Sequence, residues 1–210
     1  MKKTLLTAML AALLVFPLEG IAQAETVEAS LPETEISQQV EFNPGEVPAE
    51  TAALDSVTPA IHGVVLAMLN HETDHLSLAD PTLGWESLYN MLSLYGQMDD
   101  RAEYSEEELT LPSEIVMDFS AALAVELGEL PADLADRMVY EADTDCYHLV
   151  CGDAGLAQIQ LDSPTTADGA LEVTGTLVYL VDGSDLARFQ ATLVPTDSLF
   201  GYTLTALELL

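Results

Sequence analysis

The spacing of apolar residues changes along the chain from a helical period to a period of two. Between residues 58 and 123 apolar positions recur every three or four residues, which is the spacing of one helix face. From residue 157 onward apolar and polar positions alternate, as in a half-buried β-strand. This order predicts an α+β fold in which about three N-terminal helices pack on one face of a C-terminal antiparallel β-meander of four to six strands.

Three helices are predicted in the first half. Thr58–Pro59 supplies an N-cap and a proline at the first helical position, and Asp80–Pro81 repeats this arrangement. Ser113 can cap a third helix that Gly128 would end. The stretch QMDDRAEYSEEELT before it predicts a solvated acidic connection. The predicted inward positions are Ile61, Val64, Val65, Met68 and Leu69, then Trp85, Leu88, Tyr89, Leu92 and Tyr95, then Val116, Phe119 and Leu123.

Four alternating segments in the second half predict the strands of the meander. The dipeptides Asp168–Gly169 and Asp182–Gly183 are typical of the turns that join antiparallel strands. The predicted inward positions are Ala157, Ile159 and Leu161, then Leu171, Val173, Leu177, Tyr179 and Val181, then Ala187, Phe189, Ala191 and Leu193, then Tyr202, Leu204 and Ala206.

The N-terminal region predicts export. Lys2 and Lys3 precede an apolar run and small residues that end at Ala24, a pattern typical of a cleavable secretory signal over residues 1–24. We expect no later stretch to be long and apolar enough to span a membrane, so the mature chain should be soluble in the extracellular or cell-envelope space. Residues 25–57 predict an acidic disordered linker rich in Glu, Pro, Thr and Ser, and residues 58–210 predict a single domain.

The charge balance excludes one large class of partner. The chain carries 36 acidic and 5 basic residues, a formal charge of −31. Nucleic acids and anionic lipids would be repelled, because both are bound mainly through lysine and arginine. A cationic protein or peptide remains a candidate partner, although the acid excess could serve solubility alone. The oligomeric state is left open.

His71, Glu72 and His75 match the His-Glu-x-x-His motif, with which some zinc hydrolases hold a metal on one helix face. Asp74 stands where those enzymes usually carry an uncharged residue, and Pro81 stands where the extended motif has its third histidine. We therefore expect no metal, no cofactor and no catalytic residue here. Zinc hydrolysis, with Glu72 as the base, is kept as the alternative.

Two cysteines allow two interpretations. An even cysteine count in an exported protein favours a disulfide. On an extended strand, however, Cys146 and Cys151 would lie about 16 Å apart, whereas a disulfide needs Cα atoms within about 7 Å. His148 lies two residues from Cys146 and could share its strand face, which would be the start of a nucleophilic pair.

The order of helices and sheet over residues 58–210 resembles the cystatin-like and nuclear-transport-factor-like architectures. The stretches GWESLYNMLSLYG and DTDCYHLVCGD also resemble uncharacterised exported bacterial proteins. The resemblance is one of layout, and such folds host many unrelated functions. The functional hypothesis is an exported, acidic, non-catalytic interaction module of unspecified role. The alternatives are a zinc hydrolase and a protein with a small-ligand pocket between helices and sheet.

Overall fold

The computed structural model describes residues 49–77, 79–105, 108–124, 127–151 and 156–210. The predicted signal peptide and residues 25–48 of the predicted linker lie outside these residues. The predicted α+β class is confirmed, with three helices and two antiparallel sheets. The helices are α1 (Ala49–Asn70), α2 (Pro81–Tyr95) and α3 (Ser113–Ser120). The strands are β1 (Glu103–Ser105), β2 (Glu108–Pro112), β3 (Met138–Glu141), β4 (Cys146–Val150), β5 (Ala157–Leu161), β6 (Thr165–Ala167), β7 (Ala170–Tyr179), β8 (Asp185–Pro195) and β9 (Tyr202–Leu209).

Helix α1 begins earlier than its sequence predicts. The predicted start at Thr58–Pro59 is wrong, because the helix already runs from Ala49 and contains Pro59 in its interior. Proline cannot donate a backbone hydrogen bond within the helix, while the Thr58 hydroxyl donates to the carbonyl of Leu54 at 2.8 Å. Val57, at the end of the predicted linker, is buried in the core.

Helix α1 also contains a long apolar stretch. Residues Ala53–Asn70 are long and apolar enough by composition to cross a membrane, and half of that stretch is buried within the protein. The expectation that no such stretch follows the signal is therefore wrong on length and composition. Ile61, Val64 and Val65 are fully buried against the rest of the fold, as in the core helix of a globular domain.

Helix α2 begins where its sequence predicts. The Asp80 carboxylate caps α2 by accepting from the backbone N–H groups of Thr82 and Leu83. Helix α3 differs from its prediction at both ends. Ser113 is its first residue and no side chain caps it, so the predicted Ser113 cap is wrong. The helix ends at Ser120, so the predicted stop at Gly128 is wrong as well. The predicted solvated connection before α3 is also wrong in part, because it includes β1 and reaches into β2, which pair as an antiparallel hairpin.

The five-stranded sheet is the predicted meander. Its order is β5-β7-β8-β9, and β6 pairs with β7 beside β5. Asp168 and Gly169 both have positive φ, as a two-residue hairpin turn requires. The second predicted turn, at Asp182–Gly183, lies between β7 and β8 with Gly183 at φ 73°. Val181 was predicted inward, but it lies in this turn and is exposed.

A β-bulge corrects the last predicted strand. The pairing of β8 with β9 shifts register next to Thr192, which leaves Thr205 as the extra residue. The side-chain alternation therefore changes phase along β9. Ala206, predicted inward, is exposed, and Leu207 is buried in its place.

The four-stranded sheet was not predicted as a sheet. Its order is β1-β2-β4-β3, and all its pairs are antiparallel. Helix α1 contacts β5 and β9 of the larger sheet, α2 contacts α1 and α3, and α3 contacts β2 and β4. Both sheets contribute to one hydrophobic core, in which Phe189 from β8 and Leu149 from β4 are fully buried.

Candidate functional site

The His-Glu-x-x-His run does not lie on a helix. Helix α1 ends at Asn70, and His71 and Glu72 form the turn that follows. Glu72 has φ 51°, in the left-handed region. The zinc motif requires both imidazoles to leave one helix face four residues apart, and the backbone here does not provide that face. The helical basis of the zinc alternative is therefore wrong.

The two imidazoles contact different carboxylates. His71 Nε2 lies 2.8 Å from Oε2 of Glu86, whose other carboxylate oxygen accepts from the side-chain amide of Asn70 at 2.7 Å. Glu86 is buried on α2, so these contacts fix the end of α1 against α2. His75 Nδ1 lies 2.6 Å from Asp74 Oδ1 at the surface. No three histidine, cysteine or acidic side chains converge as metal ligands within the described parts of the chain.

The segment that carries His75 has a structural role at the edge of the larger sheet. The backbone N–H of Leu76 donates to the carbonyl of Leu207 at 2.8 Å, and the backbone N–H of Leu209 donates to the backbone carbonyl of Asp74 at 2.7 Å. The segment thus pairs with β9, whose backbone groups would otherwise be open to another strand. Because β9 also pairs with residues 122–124, its outer edge is covered at two places.

The two cysteines are free thiols. Cys146 opens β4 and Cys151 directly follows its end, so the extended strand separates them. Burial raises the pKa of the Cys151 thiol, which keeps it protonated and a poor nucleophile. The imidazole of His148 faces carboxylates on both neighbouring strands, with Nδ1 2.9 Å from Glu108 and Nε2 3.4 Å from Glu141. The ion-pair partners of His148 are therefore acids on the two adjacent strands.

A pocket of about 380 Å³ lies beside α3, and we refer to it as the α3 pocket. Helix α2 contributes Trp85, the single tryptophan of the chain, and β4 contributes Tyr147. The Trp85 indole N–H donates to the carbonyl of Gly128 at 3.0 Å, which fixes the ring. Helix α3 contributes Met117, which remains 67% exposed. The lining residues within the described part of the chain are Trp85, Val116, Met117, Ser120, Leu127 and Tyr147.

The surroundings of the α3 pocket are predominantly acidic. Asp145, two residues before Tyr147, acts on that phenol: burial first, and then the negative charge of Asp145, raises the pKa of Tyr147. Glu129 is exposed and adjoins Gly128, which accepts from Trp85. On α3, Glu114 precedes Met117 by one turn, which places the two side chains as neighbours.

One arginine offsets part of this charge. Arg101 lies 2.9 Å from Asp118 and 4.0 Å from Glu114, both on α3. It also binds Asp99 at 2.7 Å and lowers the pKa of that carboxyl to about 2. Arg101 therefore offsets the charge of Glu114 and Asp118, whereas no basic side chain among the described residues forms an ion pair with Glu129 or Asp145. The next guanidinium, that of Arg137, lies over the Tyr89 ring, 4.7 Å from its centroid. The net local charge is negative.

The sequence predicted the parts of this pocket without predicting the pocket. Trp85 and Val116 were placed in the buried stripes of their helices, and both are buried. Met117 follows Val116 but falls outside the stripe, and an exposed methionine on a short helix was the one available signal. Tyr147 lies 62 positions along the chain from Trp85, and only the unpredicted four-stranded sheet brings the two together. No protein-family model and no curated protein sequence matches this chain.

Proposed function

We propose that this protein is an exported, non-catalytic binding module that receives a side chain of a partner peptide or protein in the α3 pocket. The observation that supports it is the open pocket with Trp85 in its wall and the exposed Met117 at its side. Aromatic residues and methionine are enriched where binding surfaces anchor a partner. Methionine also adapts its shape to different ligands.

The export part of the proposal rests on residues 1–24, whose basic start, apolar run and small residues at Ala22 and Ala24 are typical of a cleaved signal. Expression with this native N-terminus in a secreting host should release a chain that begins at Glu25. Intact-mass measurement of the protein from the medium or envelope fraction checks the cleavage. A chain that keeps residues 1–24 in the cytosol would contradict export.

The binding part of the proposal can be read directly from Trp85, because its emission is the only tryptophan emission in the protein. The purified protein is titrated with three peptides of one Gly/Ser framework that carry lysine, norleucine or tyrosine at the same central position. At least one peptide should change the emission in a saturable way. Met117→Ser should weaken that binding by about fivefold, the effect of losing part of a buried methionine contact.

Met98→Ser is the matched control, since Met98 is similarly exposed, at 73%, and does not line the pocket. It should bind as the unchanged protein does. If none of the peptides binds, or if both serine variants lose affinity equally, the α3 pocket is not the binding site.

Metal analysis separates this proposal from the zinc alternative. The purified protein should contain substoichiometric zinc, and its content should not change in His71→Ala or His75→Ala. One zinc per chain that either variant abolishes would favour the hydrolase instead.

A further inference from the structure

We infer that the α3 pocket takes the lysine or arginine side chain of a basic partner segment, with the aliphatic stem against Met117 and the cationic head toward Asp145. This inference rests on the proposed function and adds the chemistry of the occupant. It follows from the apolar walls of the pocket, from the negative charge around it and from the exposed side chain of Met117.

The walls suit a long aliphatic stem that ends in a cation. Of the six lining residues that the structure describes, four (Trp85, Val116, Met117 and Leu127) are apolar, and the fifth is the Tyr147 ring. The hydroxyl of the sixth, Ser120, already donates to the Met117 carbonyl at 2.8 Å. Lysine and arginine bury their methylene stems on apolar surfaces while their heads stay polar. Tryptophan and tyrosine rings also attract such cations.

The charge next to Tyr147 favours a cation over a neutral or anionic group. Asp145 accepts a hydrogen bond from the Tyr140 hydroxyl at 2.8 Å, and within the part of the chain described here no basic side chain pairs with it. A cation at this place would meet a carboxylate whose negative charge is not neutralised. The net charge of −31 adds long-range attraction for a basic segment and repels an acidic one.

The position of Arg101 limits which carboxylates can bind the cationic head of the partner's side chain. Because Arg101 already binds Asp118 and lies near Glu114, these α3 acids are partly neutralised. Asp145 is therefore the carboxylate that we expect to matter most. Its φ of 54° is one that asparagine also tolerates, so Asp145→Asn removes the charge and retains the backbone.

The decisive experiment is a titration of Trp85 emission with four peptides that differ at one side chain. Lysine supplies stem and charge, norleucine the stem without the charge, diaminopropionate the charge on a short stem, and glutamate the opposite charge. The lysine peptide should bind at least about fivefold more tightly than each of the other three, the size of effect that a cation–π contact with burial supports.

The outcomes separate the occupant from the site. Equal binding of the lysine and norleucine peptides, with both still weakened by Met117→Ser, would overturn the cationic occupant and leave the pocket as an apolar site. Equal binding of the lysine and diaminopropionate peptides would show attraction by net charge alone and overturn the inference. Absence of binding by all four and by the tyrosine peptide would overturn the proposed function as well.

Two charge variants complete the test. Asp145→Asn should weaken the lysine peptide by about threefold or more and leave the norleucine peptide unchanged, because only the lysine head meets the carboxylate. Glu103→Gln removes one exposed charge from β1, outside the pocket lining, and should change neither peptide by as much. Equal weakening of the lysine peptide by both variants would contradict a local role for Asp145.

Discussion

The two sheets of this protein are both antiparallel, but they differ in strand length and in how their strands are connected. The five-stranded sheet has strands of up to 11 residues, joined mostly by short turns. The four-stranded sheet has strands of three to five residues, and α3 is inserted between β2 and β3. The candidate site lies on the second sheet, where β4, α2 and α3 meet. The long regular sheet supports the fold, whereas the short one brings distant residues together.

Removal of a core side chain from each sheet tests whether the two sheets share one core. Phe189→Ala on β8 should lower the free energy of unfolding by about 4 kcal/mol, and Leu149→Ala on β4 by about 3 kcal/mol. Both side chains are fully buried in the same core, so each variant should unfold in one transition. Denaturant unfolding followed by far-UV circular dichroism checks this.

Leu199→Ala is the control, because Leu199 is 60% exposed and should change stability little. Separate transitions for the two sheets in either core variant would show that they are independent units, contrary to the single core.

The second prediction concerns the helices that join the sheets. His62 on α1 is buried, its Nδ1 lies 2.8 Å from the Tyr95 hydroxyl on α2, and its Nε2 has no partner among the described residues. Burial lowers the pKa of His62 from 6.5 to about 4. In the unfolded chain the His62 imidazole therefore binds a proton below pH 6.5, whereas in the folded protein it stays neutral until about pH 4. Stability is lost as the pH falls through this window, by roughly 3 kcal/mol at about 1.4 kcal/mol per pH unit.

Carboxylates titrate in the same window, so the double variant His62→Phe/Tyr95→Phe is needed as the reference. It replaces both polar partners with apolar groups, which can be nearly neutral for folding. Its stability should fall less than that of the unchanged protein between pH 6.5 and 4. Parallel pH profiles for the two proteins would show that His62 is not held neutral.

The third prediction tests the closeness of α1 to α2. A Cβ atom at Gly63 would lie 2.5 Å from the backbone oxygen of Ser87 and 2.6 Å from Met91 Cγ. Because the backbone oxygen of Ser87 cannot move aside as a flexible side chain can, Gly63→Ala should destabilise the fold by about 2 kcal/mol. Gly128→Ala is the comparison, since its Cβ would meet only Pro81 at 3.6 Å. Equal melting temperatures for the two variants would contradict the tight helix contact.

These cases show which structural features a sequence can convey. The long strands were predicted because their alternation extends over five or more residues and Asp168–Gly169 marks a turn. The bulge at Thr205 was not, because one inserted residue changes the phase without changing the composition. The strands β1 and β2 were missed because every residue of β1 is exposed and the acidic side chains around both strands resemble those of a loop. The α3 pocket depends on pairings between distant residues, which no local pattern records.

The smallest expected effect concerns the exposed face of the four-stranded sheet. The hydrogen bond to Glu108, helped by Glu141, raises the pKa of His148. The imidazolium form therefore stabilises the sheet below the ordinary histidine pKa, and this contribution is lost as the pH rises through the raised value. Glu108→Gln should lower the His148 pKa measured by NMR titration and change stability by less than about 1 kcal/mol, as for other surface ion pairs. An unchanged His148 pKa would contradict the contact.

The proposed binding of a basic partner in the α3 pocket can be followed residue by residue by NMR. Amide chemical shifts of the protein are followed as the lysine peptide is added. We expect saturable shifts concentrated at the lining residues, with the largest at Trp85, Met117 and Tyr147, and we expect these shifts to be lost in Met117→Ser. Shifts concentrated at His71 and His75, or spread evenly over the acidic surface, would contradict it.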